Sequence, residues 1–348
     1  MTPYRTKGTV GEGGDPMAKT SNAQGVFARA LAEKVLSDNE ADRYELMRLV
    51  DEPLEPLEKA AVRIRDCCCG TEFDLCAIMS VKSGICTEDC AFCAQSSQGP
   101  ASALRRSFQP AQRIAARAKD AFDAGSHRFA MVASGGRAFP AEVDVACDAA
   151  RMIRESSHGK ICASLGLLDR EDFERLRKAG VTRIHNNLET SRAFFPRICT
   201  THSYDEKLQA IRNAQAVGLE VCSGGIVGMG ESWADRIDLA IELRSLGVAS
   251  VPVNVLNPIP GTPLEGSEPL SLAEVRRIFA IFRFALPYAS LRLAGGRSLF
   301  PDAGRACLSA GANAAISGDM LTTAGFALED DKRMFEQEGF VAHWWKAH

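Results

Sequence analysis

The chain has 348 residues, 46% hydrophobic and 24% charged, the composition of a soluble globular protein long enough for one large barrel or two smaller domains. A formal net charge of −3 leaves no electrostatic footprint for nucleic acid or an anionic membrane, and no apolar run approaches a membrane span of about 20 residues. Twelve cysteines, three of them consecutive at Cys67-Cys68-Cys69, fit a reducing cytoplasm and metal chemistry better than a disulfide scaffold.

Residues 1–24 are rich in Gly, Thr and Lys and lack the apolar stretch of a secretory signal, so they read as a flexible tail, with Met17 an alternative start. Residues 25–65 read as helices packed ahead of the main domain, which is expected to occupy 66–348 with a C-terminal segment of its own. Within it, strand patterns at 73–81, 128–136, 160–166, 183–189, 220–227, 250–256, 290–295 and 313–318 alternate with helical patterns at 110–124, 140–156, 169–179, 203–217, 232–246 and 271–285. In 205–217, Leu208, Ile211, Ala214 and Ala216 approximate an apolar stripe, leaving Glu206, Lys207 and Arg212 to the surface. Gly125, Gly180, Gly218 and Gly247 stand where helices should stop. About eight strand–helix units predict an α/β fold, a (βα)8 TIM-type barrel, over a doubly wound sheet, which usually has fewer.

Alternate strand residues share a face, and one face of a barrel strand points inward. In the fourth strand, Ile184 and Leu188 take one face, while His185, Asn187 and Glu189 take the other. Cys162 aligns with Ser164, Cys222 with Gly224 and Arg292 with Ala294. Such a lumen is no packed core, because each unpartnered buried polar group costs about 1–3 kcal/mol. A bound cofactor and substrate would supply the partners.

The most informative motif follows the first strand. Cys86, Cys90 and Cys93 form C-x3-C-x2-C, three thiolates from one loop. A cubane iron–sulfur cluster normally takes four cysteines, so such a loop leaves one iron without a protein ligand, and an open position on a bound metal marks chemistry. No second pair of cysteines follows at zinc-site spacing.

This spacing is similar to that of the radical S-adenosylmethionine (SAM) enzymes, and IMSVKSGICTEDCAFCAQS at 78–96 resembles the cluster loop of the biotin synthase family. HNNLETS at 185–191, VCSGGIVGMG at 221–230, VPVNVL at 251–256, LRLAGGR at 291–297 and Leu321-Thr322-Thr323 extend the resemblance in order from about Arg63 to Phe340. It implies that Cys86, Cys90 and Cys93 hold a [4Fe-4S] cluster whose open iron binds SAM. The family cleaves SAM to a 5′-deoxyadenosyl radical, removes hydrogen from two carbons of dethiobiotin and closes the ring with sulfur from an auxiliary cluster.

The best-known members hold a [2Fe-2S] auxiliary cluster with three cysteines and an arginine. Cys162, Cys222 and Arg292 match three of those positions, but Ala130 stands at the fourth and cannot bind iron. Cys69 and Cys76, in a C-x6-C element, resemble a second branch of the family. That resemblance implies Cys69 and Cys76 joining Cys162 and Cys222 around a larger, cubane-type cluster, with Arg292 beside it, although Cys67 or Cys68 could stand in for Cys69. Cys147, Cys199 and Cys307 match no motif and read as small buried apolar residues.

By the same resemblance, Cys162, Cys222 and Asn187 are the catalytic candidates. Asn187 meets both SAM and substrate, Asn254 and His185 face the substrate, and Glu189 takes the SAM ribose in place of the usual aspartate. His202 replaces an arginine at the SAM carboxylate, and Ser134-Gly135 meets the methionine amine. The family further implies a flavodoxin- or ferredoxin-type electron donor and a homodimer. Two rivals stay open: another radical SAM enzyme on the same barrel, such as a cofactor maturase or a methylating or rearranging relative, and a non-catalytic zinc-binding scaffold.

Overall fold

The computed structural model describes residues 25–84, 86–100, 105–318 and 325–342, so the 1–24 tail, the Met17 start and Leu321-Thr322-Thr323 lie outside the described residues. Three helices lead in, α1 (Val26–Leu36), α2 (Arg43–Arg48) and α3 (Leu54–Cys69). The last extends past 65 and takes in Cys67, Cys68 and Cys69 before Gly70, at φ +68°, ends it.

Strands β1 (Glu72–Lys82), β2 (Arg128–Ala133), β3 (Lys160–Ser164), β4 (Val181–His185), β5 (Glu220–Cys222), β6 (Gly225–Val227), β7 (Ser250–Val255), β8 (Ser290–Leu293) and β9 (Ala314–Ser317) run parallel. β9 pairs back onto β1 and closes the sheet. β5 and β6 both pair with β7 and form one stave broken at 223–224, giving the eight-stave (βα)8 barrel that the alternation predicts. A short β10 (Val341–Ala342) adds to the outer start of β1.

The outer helices are α4 (Ala111–Asp123), α5 (Pro140–Ser156), α6 (Arg170–Ala179), α7 (Tyr204–Ala216), α8 (Trp233–Ser245), α9 (Leu272–Ala285) and α10 (Leu328–Gln337), while two 3₁₀ turns at 297–299 and 305–310 replace the helix after β8. Ser203, Ser232 and Ser271 start α7, α8 and α9 with capping boxes to Glu206, Asp235 and Glu274, satisfying amides that a helix start leaves orphaned. Phe129, Met131, Ile161, Ile184, Val221, Leu291 and Leu293 are the outward strand residues, buried against the helices. Their alternate neighbours face inward.

The floor of the barrel is ionic. The Asp74 carboxylate of β1 accepts from Arg292 at 2.5 Å and from Arg128 at 2.9 Å, with Arg183 at 3.8 Å. Arg183 also pairs with Glu220 at 2.7 Å. Burial opposes ionisation of Asp74, but Arg292, His127, Arg128 and Arg183 together hold its carboxyl well below the usual range. Because that value is depressed on folding, the carboxylate adds stability above the unfolded value of about 3.9 and loses it as pH falls through the folded one. Asp74→Asn should therefore cost about 3–5 kcal/mol near neutral pH. In chemical denaturation the loss should narrow below about pH 4, where the wild-type chain loses this contribution.

Candidate functional site

Inward residues of every stave line one cavity of about 430 Å³ that opens at the carboxyl ends of the strands. β1 contributes Cys76, Ile78, Ser80 and Lys82, β2 Arg128, Ala130 and Val132, and β3 Cys162 and Ser164, the alternation that parity requires, broken only by Ala133 at the end of β2. Beyond β4, whose regular part stops at His185, Asn187 and Glu189 still face the cavity. Arg292 lines it, and in place of Ala294 the loop after β8 contributes Gly295 and Gly296.

At the mouth, Cys86, Cys90 and Cys93 all line the cavity. Their loop is tied internally by Cys86 N to Gln95 O at 2.9 Å, and to the 198–202 segment by Ala91 N to Ile198 O at 2.8 Å. The Asp89 carboxylate accepts from Thr200 N at 2.9 Å and from its hydroxyl at 2.5 Å. Gly136 lies so close to Glu88 that a Cβ there would meet Oε1 at 2.4 Å, so Gly135 and Gly136 present bare backbone beside the loop, next to Ser134.

The middle of the cavity is held by amides. Asn187 Oδ1 accepts from Gly224 N at 3.0 Å while its Nδ2 donates to Glu189 at 3.3 Å. Asn254 accepts from Gly295 N at 2.9 Å and donates to Gly225 O at 3.0 Å. Each amide thus keeps one N–H for another partner. Glu189 sits at φ +70°, a conformation that costs a non-glycine residue about 1–3 kcal/mol and that clusters at functional sites. Burial pushes its carboxyl up, against the pull of Lys207 and His185.

Three more thiols converge below. Cys76 and Cys162 pack with Ala130 between the first three strands, and Cys222 lies 3.3 Å from Ser250 Oγ. Burial would raise the Cys222 thiol, but the His185 hydrogen bond and the nearby arginines bring it down to about 7. The hydrogen bond between Cys76 and Cys162 raises the Cys76 thiol and lowers that of Cys162, which Arg183, Arg128 and Arg292 pull down further. Arg292 spends Nε on Ser250 at 2.7 Å and its other nitrogens on Asp74 and the Ala315 carbonyl.

Cys69 is not brought to this group. Its Sγ lies 3.3 Å from Arg283 Nη1 and 3.4 Å from the Pro287 carbonyl. It lines a separate pocket of about 220 Å³ with Asp74, His127 and Arg128, because α3 ends on the far side of the ionic floor. Cys67 is exposed and Cys68 half-buried; neither lines the main cavity.

Two further residues depart from expectation. Lys207 is not on the surface: it is 8% exposed, lines the cavity and reaches Asn186 Oδ1 at 3.5 Å. The signal was present, since Tyr204, Lys207, Leu208 and Ile211 follow the i, i+3, i+4, i+7 spacing of the buried face. Cys199 is buried as expected, yet it is not a bystander, with Cys90 Sγ at 3.8 Å and His202 Nδ1 at 3.4 Å. His202 Nδ1 in turn meets Glu88 at 2.6 Å.

The residues fit iron–sulfur clusters and SAM. Six thiols face one cavity in two groups, and the buried Arg128 Nη1 and Asn186 Nδ2 lack protein partners.

Comparison with known proteins agrees. The chain matches the Radical SAM superfamily over residues 80–243 and the Biotin and Thiamin Synthesis associated domain over 252–341. It is 50% identical to a biotin synthase of Brachyspira hyodysenteriae, covering 89% of this chain and 93% of the relative. It is 47% identical to one of Clostridium botulinum, with 88% and 97% covered. Among solved structures, methylornithine synthase superposes with a TM-score of 0.77 at 21% identity, covering 90% of this chain and 97% of that one. A maturase of the [FeFe]-hydrogenase does so at 0.79 and 17%, with 95% and 78% covered, a likeness of fold alone. With such identity along nearly nine-tenths of its length, and with six thiols facing its barrel cavity, the chain belongs to the biotin synthase family and is a radical SAM enzyme of biotin synthesis.

Proposed function

We propose that this chain converts dethiobiotin to biotin with a division of labour along the barrel axis. The observation that carries the reading is the facing of two thiol groups, one at the mouth and one above the ionic floor, across a single cavity. Cys86, Cys90 and Cys93 would hold a [4Fe-4S] cluster, leaving one iron to SAM. Cys76, Cys162 and Cys222 would hold the auxiliary cluster. Arg292, its nitrogens committed to Ser250 and Asp74, would be a charge neighbour and not a ligand. Three wall thiols and the room left by Ala130 favour a cubane-type cluster over [2Fe-2S]. When bound, SAM and the two clusters supply a 5′-deoxyadenosyl radical and the sulfur atom.

The protein's own part is to bind, orient and exclude water. The spare N–H groups of Asn187 and Asn254 suit a ureido oxygen, and the His185 hydrogen bond lowers the Cys222 thiol. Glu189 would take ribose hydroxyls, and the backbone at Ser134 and Gly135 the methionine amine. His202 is already paired with Glu88, whose charge would repel a carboxylate, so Lys207 is the better partner for the SAM carboxylate. Ile78, Val132, Ile226 and Leu256 give the cavity an apolar wall that keeps water from a radical. A flavodoxin- or ferredoxin-type electron donor and a homodimer follow from the family resemblance. Twelve free thiols favour the cytoplasm, and no helix among the described residues is long and apolar enough to cross a membrane.

The test is an anaerobic assay for biotin and 5′-deoxyadenosine with dethiobiotin, SAM and a reductant. Cys90→Ala should abolish both products, whereas Cys222→Ala should still release 5′-deoxyadenosine and form no biotin. Normal biotin formation by Cys222→Ala would refute the sulfur-site assignment. Lys207→Met should weaken SAM binding about 10–100-fold, the loss of one charge-assisted hydrogen bond, while leaving dethiobiotin binding near its wild-type value. Asn254→Ala should show the reverse preference, raising the apparent KM for dethiobiotin more than that for SAM.

A further inference from the structure

Among the described residues, Cys90, Cys199 and His202 form the one trio of metal-ligating side chains whose ligand atoms all lie within 4.8 Å of one another. The loop thiols do not meet that spacing among themselves, as befits positions set around a multi-iron cluster. A tetrahedral ion with metal–sulfur bonds of about 2.3 Å and metal–nitrogen bonds of about 2.0–2.1 Å places its sulfurs about 3.8 Å apart and sulfur from nitrogen about 3.6 Å. Here Cys90 and Cys199 Sγ are 3.8 Å apart, and Cys199 Sγ lies 3.7 Å from His202 Nε2 and 3.4 Å from its Nδ1. His202 Nδ1 is taken by Glu88 at 2.6 Å, which fixes the tautomer that leaves Nε2 its lone pair, the carboxylate–histidine–metal arrangement of zinc sites. The 198–202 strip that carries two of the ligands is bonded to the cluster loop at Ala91 and Asp89, so the trio is held by backbone as well as by side chains. Cys90 and His202 also line the cavity, leaving a fourth position for water.

We propose that, in the chain lacking its loop cluster, Cys90, Cys199 and His202 form a mononuclear site for a thiophilic divalent ion, zinc or ferrous iron. The ion would tie the empty cluster loop to the 198–202 strip. Zinc should bind more tightly than ferrous iron, as the general order of divalent affinities requires, and would then stand in the way of cluster assembly. Mutual exclusion with the cluster, unlike the site itself, rests on Cys90 being a cluster ligand.

The probe is cobalt(II), titrated anaerobically into the full-length chain freed of clusters by chelation. Thiolate-to-cobalt charge-transfer and tetrahedral d–d bands should saturate, Cys199→Ala and His202→Ala should each weaken binding at least about tenfold, and Glu88→Gln about 10–100-fold. Cys86→Ala should leave this signal unchanged. Strong dependence on Cys86 with none on Cys199 would overturn the proposal, since the ion would then sit on the loop thiols. X-ray absorption of the zinc-loaded wild-type chain needs no variant: two sulfurs and one imidazole are expected, and a shell of three or four sulfurs would also overturn it. Adding iron and sulfide should then release one ion per loop cluster formed. Cluster formation with the cobalt retained would reject mutual exclusion, while a cobalt site in a chain that builds no cluster would reject the loop assignment and leave the site standing.

Discussion

Charge balance at the barrel floor constrains everything above it. Three guanidinium groups, Arg128, Arg183 and Arg292, are buried around two carboxylates, Asp74 and Glu220, the latter partly exposed. Buried charge is tolerated only when paired, so the excess must be met from the cavity side. The groups next above are thiols; hydrogen bonds from Cys76 to Cys162 and from His185 to Cys222 lower them, and the positive floor adds to that pull. A floor of this kind suits anionic, thiolate-bound iron better than an apolar ligand. It also explains why Arg292 need not touch metal to matter, because its nitrogens spread their charge through Ser250 and Asp74.

The barrel was legible because its two periods, alternate residues in strands and three to four in helices, are set by backbone geometry and survive without an alignment. Inward parity therefore found His185, Asn187 and Glu189, although β4 ends before two of them. What failed was distance across the fold. C-x6-C placed Cys69 near Cys76 in sequence, but a helix end and an inner strand residue separated by an ionic layer do not meet. Charge marks Lys207 for the surface, yet its helical position lies on the buried face, and position prevails. Cys199 escapes the sequence for a different reason. Its partners come from a loop more than a hundred positions earlier and from a histidine assigned to another task.

The mouth and the depth of the cavity differ in chemistry for local reasons. Near the mouth, Glu88 and Asp89 bind the 200–202 segment through hydroxyls and an imidazole, fixing the loop without using its thiols. In the depth, no acid beyond Asp74 and Glu220 approaches the three arginines among the described ion pairs, so thiolates are the natural complement there. Asn187 and Asn254 occupy the level between, neutral groups where neither sign of charge dominates.

The broken fifth stave has a mechanical consequence. Where Ser223 and Gly224 interrupt the ladder, the Asn187 side chain takes the Gly224 amide, and the backbone of Glu189 completes the seam on either side, accepting from Ile226 N and donating to Gly224 O. A Cβ on Gly225 would meet the Glu189 carbonyl at 2.3 Å, so the seam admits no slack. Cys222 lies two residues below that joint. Any molecule that tugs on the amide of Asn187 therefore leans on the same short segment of backbone that carries the Cys222 thiol.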